Sequence, residues 1–126
     1  MINVAMGGTL WQDIWSQLNM PKGVHTQEQP FSKPHHCVRF EEGSLFAQIT
    51  GGMEMMTNSM HHQTIKDLAP GLIAEGRTQD GAIEAVSGAQ GSILGVQFHP
   101  EFLTGESESA RRLFGYFVKK AAAYRE

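Results

Sequence analysis

The segment Gly95-Val96-Gln97-Phe98-His99-Pro100-Glu101 decides how the rest of this chain is read. It closes an apolar, β-rich run over residues 93–98, so a strand delivers a histidine at its end. Pro100 stops the chain from continuing as strand or helix. A carboxylate then follows two residues after the imidazole. Such an imidazole can take a proton from a thiol or hydroxyl near neutral pH. The carboxylate can hold the ring in one tautomer and stabilise the imidazolium that forms. By itself His-Pro-Glu is a weak signal, because a histidine at a strand end is more often structural.

Downstream of this segment the pattern changes period. Ala110, Leu113, Phe114, Phe117, Val118 and Ala121 recur at spacings of three and four, which predicts a C-terminal helix over residues 107–124 with one apolar stripe. Upstream, residues 72–78 and 82–86 flank Asp80-Gly81, a pair that tolerates positive φ and so predicts a β-hairpin. Residues 45–49 read equally well as helix or strand, and Gly51-Gly52 ends them. Residues 37–40 alternate like a strand. Residues 19–34 are polar and hold three prolines, the composition of a surface loop. Leu10, Ile14 and Leu18 predict a second short helix. Residues 2–6 read as the last turns of a buried helix ended by Gly7-Gly8.

The 126 residues suit one domain, 1–126, with 40% hydrophobic and 18% charged residues, enough for a packed core. The net charge is −3, and the basic pairs Arg111-Arg112 and Lys119-Lys120 read as a solvated helix face, not a nucleic-acid patch. The single cysteine, Cys37, allows no intrachain disulfide, which fits a reducing, cytoplasmic setting. No stretch reaches the ~20 apolar residues of a membrane-spanning helix, so neither membrane nor nucleic acid is expected as a partner. Six histidines invite a metal reading. Only His35-His36 and His61-His62 are paired, and adjacent residues make poor shared ligands, so no metal site is expected. His25 and His62 read as surface residues. Met53, Met55, Met56 and Met60 read as core filler or as an exposed patch.

Several blocks together resemble one family. Gly95 to Glu101 resembles the closing motif of class I glutamine amidotransferases, whose triad is cysteine, histidine and glutamate. Asn58-Ser59-Met60-His61-His62-Gln63, Leu68-Ala69-Pro70-Gly71-Leu72 and Asp80-Gly81-Ala82-Ile83-Glu84-Ala85 are similar to the γ-glutamyl-γ-aminobutyrate hydrolase branch. So is Asn3-Val4-Ala5-Met6-Gly7-Gly8-Thr9-Leu10-Trp11-Gln12-Asp13, which resembles the segment after the family's nucleophile elbow. The blocks keep the family's order over nearly the whole chain.

The resemblance implies an α/β fold: part of a flavodoxin-like three-layer domain with mixed strands, a β-hairpin and a C-terminal helix. It implies His99 as general base and Glu101 as its orienting partner. Ser59, His61 and Gln63 match a stretch near the family's cleft and are candidate substrate contacts, with a structural role for His61 equally open. No cofactor is implied. The family's nucleophile sits on a Gly-x-Cys-x-Gly elbow, which residues 1–126 lack. The chain is therefore expected to be the C-terminal portion of a hydrolase domain, holding the His-Glu part of a Cys-His-Glu triad that acts on γ-glutamyl amides through a thioester. Cys37 reads as an ordinary thiol. Two other readings stay open: a non-catalytic relative acting as an oligomeric binding module, and a different hydrolytic activity using another nucleophile. Surfaces that the family covers with earlier elements predict a homo-oligomer, as a two-fold dimer burying Ile2, Val4 and Met6.

Overall fold

A hairpin organises the molecule. In the computed structural model, which describes residues 1–124, β5 (Leu72–Arg77) and β6 (Ile83–Gly88) run antiparallel on either side of the Asp80-Gly81 turn. Gly81 takes φ +89, and the Asp80 carboxylate accepts from Thr78 Oγ1 (2.6 Å) and the Ala82 amide (3.3 Å), which is the local bonding that makes Asp-Gly a turn former. The register shifts between Ala74 and Gly76 and again between Gly76 and Arg77, leaving Glu75 and Glu84 without opposite partners. Bulges of this kind re-aim side chains. Here they turn two carboxylates inward, and Glu75 and Glu84 are buried.

Around the hairpin lie β2 (His36–Phe40), β3 (Glu54–Thr57) and β7 (Ile93–Val96). The order is β3-β2-β5-β6-β7, and every pairing among the described residues is antiparallel. The undecided stretch after Ser44 is a helix, α3 (Leu45–Thr50). Ser44 decides it by accepting from the Ala47 amide as an N-cap, and Gly51 closes it at φ +76. Glu75 adds a tie from the sheet: Oε2 accepts from the Phe46 amide (3.1 Å) and Oε1 from Ser87 Oγ (2.5 Å). The C-terminal helix α4 (Glu108–Ala123) starts on Ser107, whose hydroxyl accepts from the Ala110 amide.

Two cores form on opposite faces of the sheet, as the alternation of strand side chains requires. Val38, Phe40, Phe46, Met55, Ala85, Phe98, Leu103, Ala110 and Leu113 form one, beneath α3 and α4. Ala69, Leu72, Ile83 and Val86 form the other, with Ile2 and Ile65 packed against it. Gly95 belongs to this second face. A Cβ there would lie 2.8 Å from Val86 Cγ2 and 3.1 Å from Ile2 Cδ1, so only glycine lets Ile2 pack so closely.

Four expectations change. Residues 10–18 are not one helix: β1 (Leu10–Trp11) pairs with β4 (Thr64–Ile65), and a single turn, α2 (Ile14–Gln17), follows on its Asp13 cap. The long-range pairing outweighs the helical spacing. The N-terminal turn α1 (Ile2–Ala5) buries Asn3, while Val4 and Met6 face outward. Asn3 holds the connection beside β4, donating to Thr9 O (3.0 Å) and Asp67 O (3.1 Å) and accepting from the Ala69 amide (2.8 Å). The α4 stripe is only half used, because Ala110 and Leu113 are buried and Phe114, Phe117 and Val118 are exposed. Finally, His25 in the proline-rich loop is fully buried. Among the described residues no helix is long and apolar enough to cross a membrane.

Candidate functional site

His99 stands just beyond β7, where Pro100 opens a 3-10 turn, Pro100–Phe102. Its Nδ1 lies 2.7 Å from Glu101 Oε1, the contact that the two-residue spacing favours. Both side chains are about half exposed, at 47% and 52%. An exposed pair contributes little to stability. Its consequence is orientation: an ionised carboxylate only accepts, so Nδ1 carries the proton and Nε2 is left with its lone pair. Phe102 packs beside the ring, with centroids 6.1 Å apart. A cavity of about 610 Å³ opens in front, bordered by His99, Gln63, Ile2, Leu10 and Val96.

The backbone of His99 is held by Asn58, the first residue of the Asn58–Gln63 block and one to which the sequence alone assigns no role. Asn58 is fully buried. Its Oδ1 accepts from the His99 amide (2.8 Å), and its Nδ2 donates to His99 O (2.9 Å) and to Phe31 O (2.8 Å). One amide thus clamps both sides of His99 and ties it to the proline-rich loop. Asn58→Ala is expected to leave these backbone groups unpaired and to cost ~1–3 kcal/mol for each that water cannot reach. A urea melt checks this, and an unchanged midpoint would show that the clamp carries no stability.

The expected substrate contacts separate. Gln63 borders the cavity, and its Nε2 donates to Gln12 O (3.2 Å) and Gln12 Oε1 (3.1 Å). Ser59 is fully buried, with its hydroxyl donating to His25 O (2.7 Å). His61 turns into the same interior: Nδ1 lies 2.8 Å from Gln63 O, and Nε2 lies 2.9 Å from Glu84 Oε1. Burial pushes the His61 imidazole down, but the Glu84 carboxylate outweighs it and holds the group above its ordinary value. His25 and His36 join this cluster. Burial holds His36 below its ordinary value.

The sequence places Glu84 in the Asp80–Ala85 block without a role of its own; an acidic residue among apolar neighbours is the signal that could have found it. Cys37 faces elsewhere, with Sγ 3.6 Å from Glu54 Oε2. Burial and the Glu54 carboxylate raise its thiol, which disfavours the reactive thiolate.

Residues 1–101 match the family model of Peptidase C26. The chain is 36% identical over 120 residues to the γ-glutamyl-γ-aminobutyrate hydrolase PuuD of Escherichia coli (strain K12), covering 91% of this chain and 47% of that protein. It is 32% identical over 118 residues to the glutamine amidotransferase-like protein YvdE of Lactococcus lactis, covering 94% of this chain and 49% of that protein. The chain spans about half the length of the curated relatives it matches. Among solved structures it is similar to a GMP synthase component from Thermoplasma acidophilum, with a TM-score of 0.65 at 20% identity. That match covers 98% of this chain and 53% of the other, and the likeness concerns the fold.

Proposed function

The chain belongs to the peptidase C26 family, and from that membership we propose that it forms the acid–base portion of a hydrolase of γ-glutamyl amides, with His99 as general base and Glu101 as its orienting partner. The observation that carries this reading is the 2.7 Å contact between His99 Nδ1 and Glu101 Oε1 at the edge of the cavity. In it, His99 Nε2 takes the proton of a cysteine thiol, and the thiolate attacks the amide carbon. His99 returns the proton to the leaving amine, and the same nitrogen then activates the water that cleaves the thioester. Gln63 keeps its proposed place beside the substrate, while Ser59 and His61 act from behind the cavity wall.

Residues 1–126 hold one cysteine and no Gly-x-Cys-x-Gly elbow. In this proposal they are the C-terminal portion of the catalytic domain, and the nucleophile and an oxyanion-hole amide come from outside them. The raised thiol of Cys37 speaks against its taking over that task. Ile73 on β5 and Phe117 and Val118 on α4 are 61%, 51% and 65% exposed, open apolar side chains that favour self-association and support a homo-oligomer as the assembled form.

Release of an anilide from a γ-glutamyl anilide tests the function. The chain alone is expected to show negligible turnover. The chain combined with the elbow-bearing half of a family member is expected to hydrolyse the substrate. Turnover by the chain alone that survives Cys37→Ala and is lost in His99→Ala would overturn the covalent mechanism in favour of general-base attack by water.

A further inference from the structure

Four segments converge on a second cluster, which shares Glu84 with the border of the His99 cavity. His25 comes from the proline-rich loop, His36 opens β2, His61 lies between β3 and β4, and Glu84 is the bulged residue of β6. His25 and Glu84 have side chains at 0% exposure, and those of His36 and His61 are at 12% and 7%. His25, His36 and Glu84 each offer one atom within 4.8 Å of the others.

The inner atoms of this cluster lack hydrogen bonds. His25 Nδ1, His36 Nε2, His61 Nε2 and both Glu84 oxygens are buried and unpartnered among the described residues. The outer nitrogens of His25 and His61 are engaged, while His36 Nδ1 is buried without a partner among the described residues. His25 Nε2 lies 2.6 Å from Asp80 Oδ2, and His61 Nδ1 lies 2.8 Å from Gln63 O. Both outer partners are acceptors, so each outer nitrogen donates and, in the neutral ring, the inner nitrogen carries a lone pair; the proton that Glu84 favours on His61 is the one a bound ion would displace. Those lone pairs face a carboxylate: His25 Nδ1 is 3.6 Å and His61 Nε2 is 2.9 Å from Glu84 Oε1, and His36 Nε2 is 3.7 Å from Glu84 Oε2. Buried acceptors crowded together repel unless a cation stands among them.

A hydrogen bond aligns donor and acceptor along one line; the His61–Glu84 pair is close but not aligned, and the pairs of His25 and His36 with Glu84 are too long for one. Buried, unpartnered ligand atoms from three segments gathered within 4.8 Å of one another can serve a single ion. Bonds of about 2.0–2.1 Å to a tetrahedral ion set its ligand atoms about 3.3 Å apart; the contacts to Glu84 are 2.9, 3.6 and 3.7 Å, and the ligand atoms of His25, His36 and Glu84 lie within 4.8 Å of one another, a spread that a bound ion would draw in. The outer contacts fit as well. Metal-binding histidines donate their other N–H to a carboxylate or a backbone carbonyl, which describes Asp80 and the Gln63 carbonyl.

We propose that His25, His36 and Glu84 bind a divalent transition-metal ion of the Zn²⁺ class, with His61 as the nearest fourth donor. Imidazole nitrogens with one carboxylate suit zinc, cobalt and nickel and do not suit magnesium or calcium. The sequence predicts no metal because only adjacent histidines are visible in it as pairs. The ligands here come from separate segments, and the β6 bulge supplies the carboxylate. The ion ties the proline-rich loop to the sheet and steadies the segment from which Asn58 grips His99.

Cobalt and zinc titrations of the chelator-treated chain test this. The expected result is one equivalent of Co²⁺ giving the intense visible bands of a four-coordinate ion, displaced by Zn²⁺, with a melting temperature that rises on metal addition. Glu84→Gln, of equal size and without the charge, is expected to abolish the bands. Asp80→Asn is expected to weaken binding roughly 10–100-fold, the usual effect of losing an outer partner. His62→Ala, at an exposed position, is expected to change nothing. Absence of the bands in the unmodified chain overturns the proposal, whatever the variants do. So does binding that Glu84→Gln and Asp80→Asn leave intact, or binding that His62→Ala removes. Circular dichroism separates a variant that fails to fold from one that fails to bind, and in the first case Asp80→Asn and the unmodified spectrum decide.

Discussion

With the nucleophile-bearing half supplied, His99→Ala is expected to lower kcat on a γ-glutamyl anilide by roughly 10²–10⁴-fold, the usual contribution of a positioned general acid–base. The loss should fall on kcat and leave KM nearly unchanged, because the proposed role of His99 is to move a proton and not to hold the substrate. Stability should not follow activity. The ring is 47% exposed, and its position in the chain is held through the backbone by Asn58, which the substitution leaves in place. Parallel urea melts therefore matter as much as the rates. Glu101→Gln should produce a smaller loss, since a neutral amide still meets Nδ1 but no longer stabilises the imidazolium. A kcat within a factor of a few of the starting protein, with the melt unchanged, would falsify the general-base assignment.

Phe46→Ala is expected to remove ~3–5 kcal/mol of stability, the range for truncating a buried phenylalanine. That is a large part of the ~5–15 kcal/mol a whole domain has. Phe46 is 0% exposed and sits at the meeting of α3 with the sheet, its ring centroid 5.7 Å from that of Phe40. The site cannot easily close around the gap. On one side the Phe46 amide is bonded to Glu75, and on the other Gly76 already lets Phe40 and Val38 approach its backbone closely. Phe114→Ala on α4 removes the same group from a position 43% exposed and is expected to stay within ~0.5 kcal/mol. Denaturant melts of the two variants side by side give the comparison. A cost at Phe46 below ~1 kcal/mol would mean that α3 repacks freely over the sheet.

These two phenylalanines mark a limit of what residue spacing conveys. Spacing put Phe114 on an apolar stripe, yet periodicity says only that residues share a face, not whether anything covers it. Among the described residues, Ala110 and Leu113 are buried and the rest of the stripe is not. Leu10 is a similar case. Its spacing with Ile14 and Leu18 was helical, but pairing with Ile65 made it a strand, and nothing near Leu10 in the chain announces that partner.

What the sequence determined by itself was local. The Asp80-Gly81 turn, the Ser107 cap of the C-terminal helix, the strand leading to His99 and the approach of Glu101 to His99 across Pro100 all depend on residues a few positions apart. Short-range sterics and hydrogen bonds suffice for such features, and the motif blocks placed the chain in its family. The tertiary structure alone decided what faces what. It brought Asn58 to the backbone of His99, buried His25 within a proline-rich loop, and gathered His25, His36 and Glu84 into one cluster. Those outcomes depend on strand register, on two bulges in the central hairpin and on the packing of distant segments. A one-residue shift of register turns a strand side chain to the other face, so residue order does not reveal which carboxylate points inward until the sheet has formed.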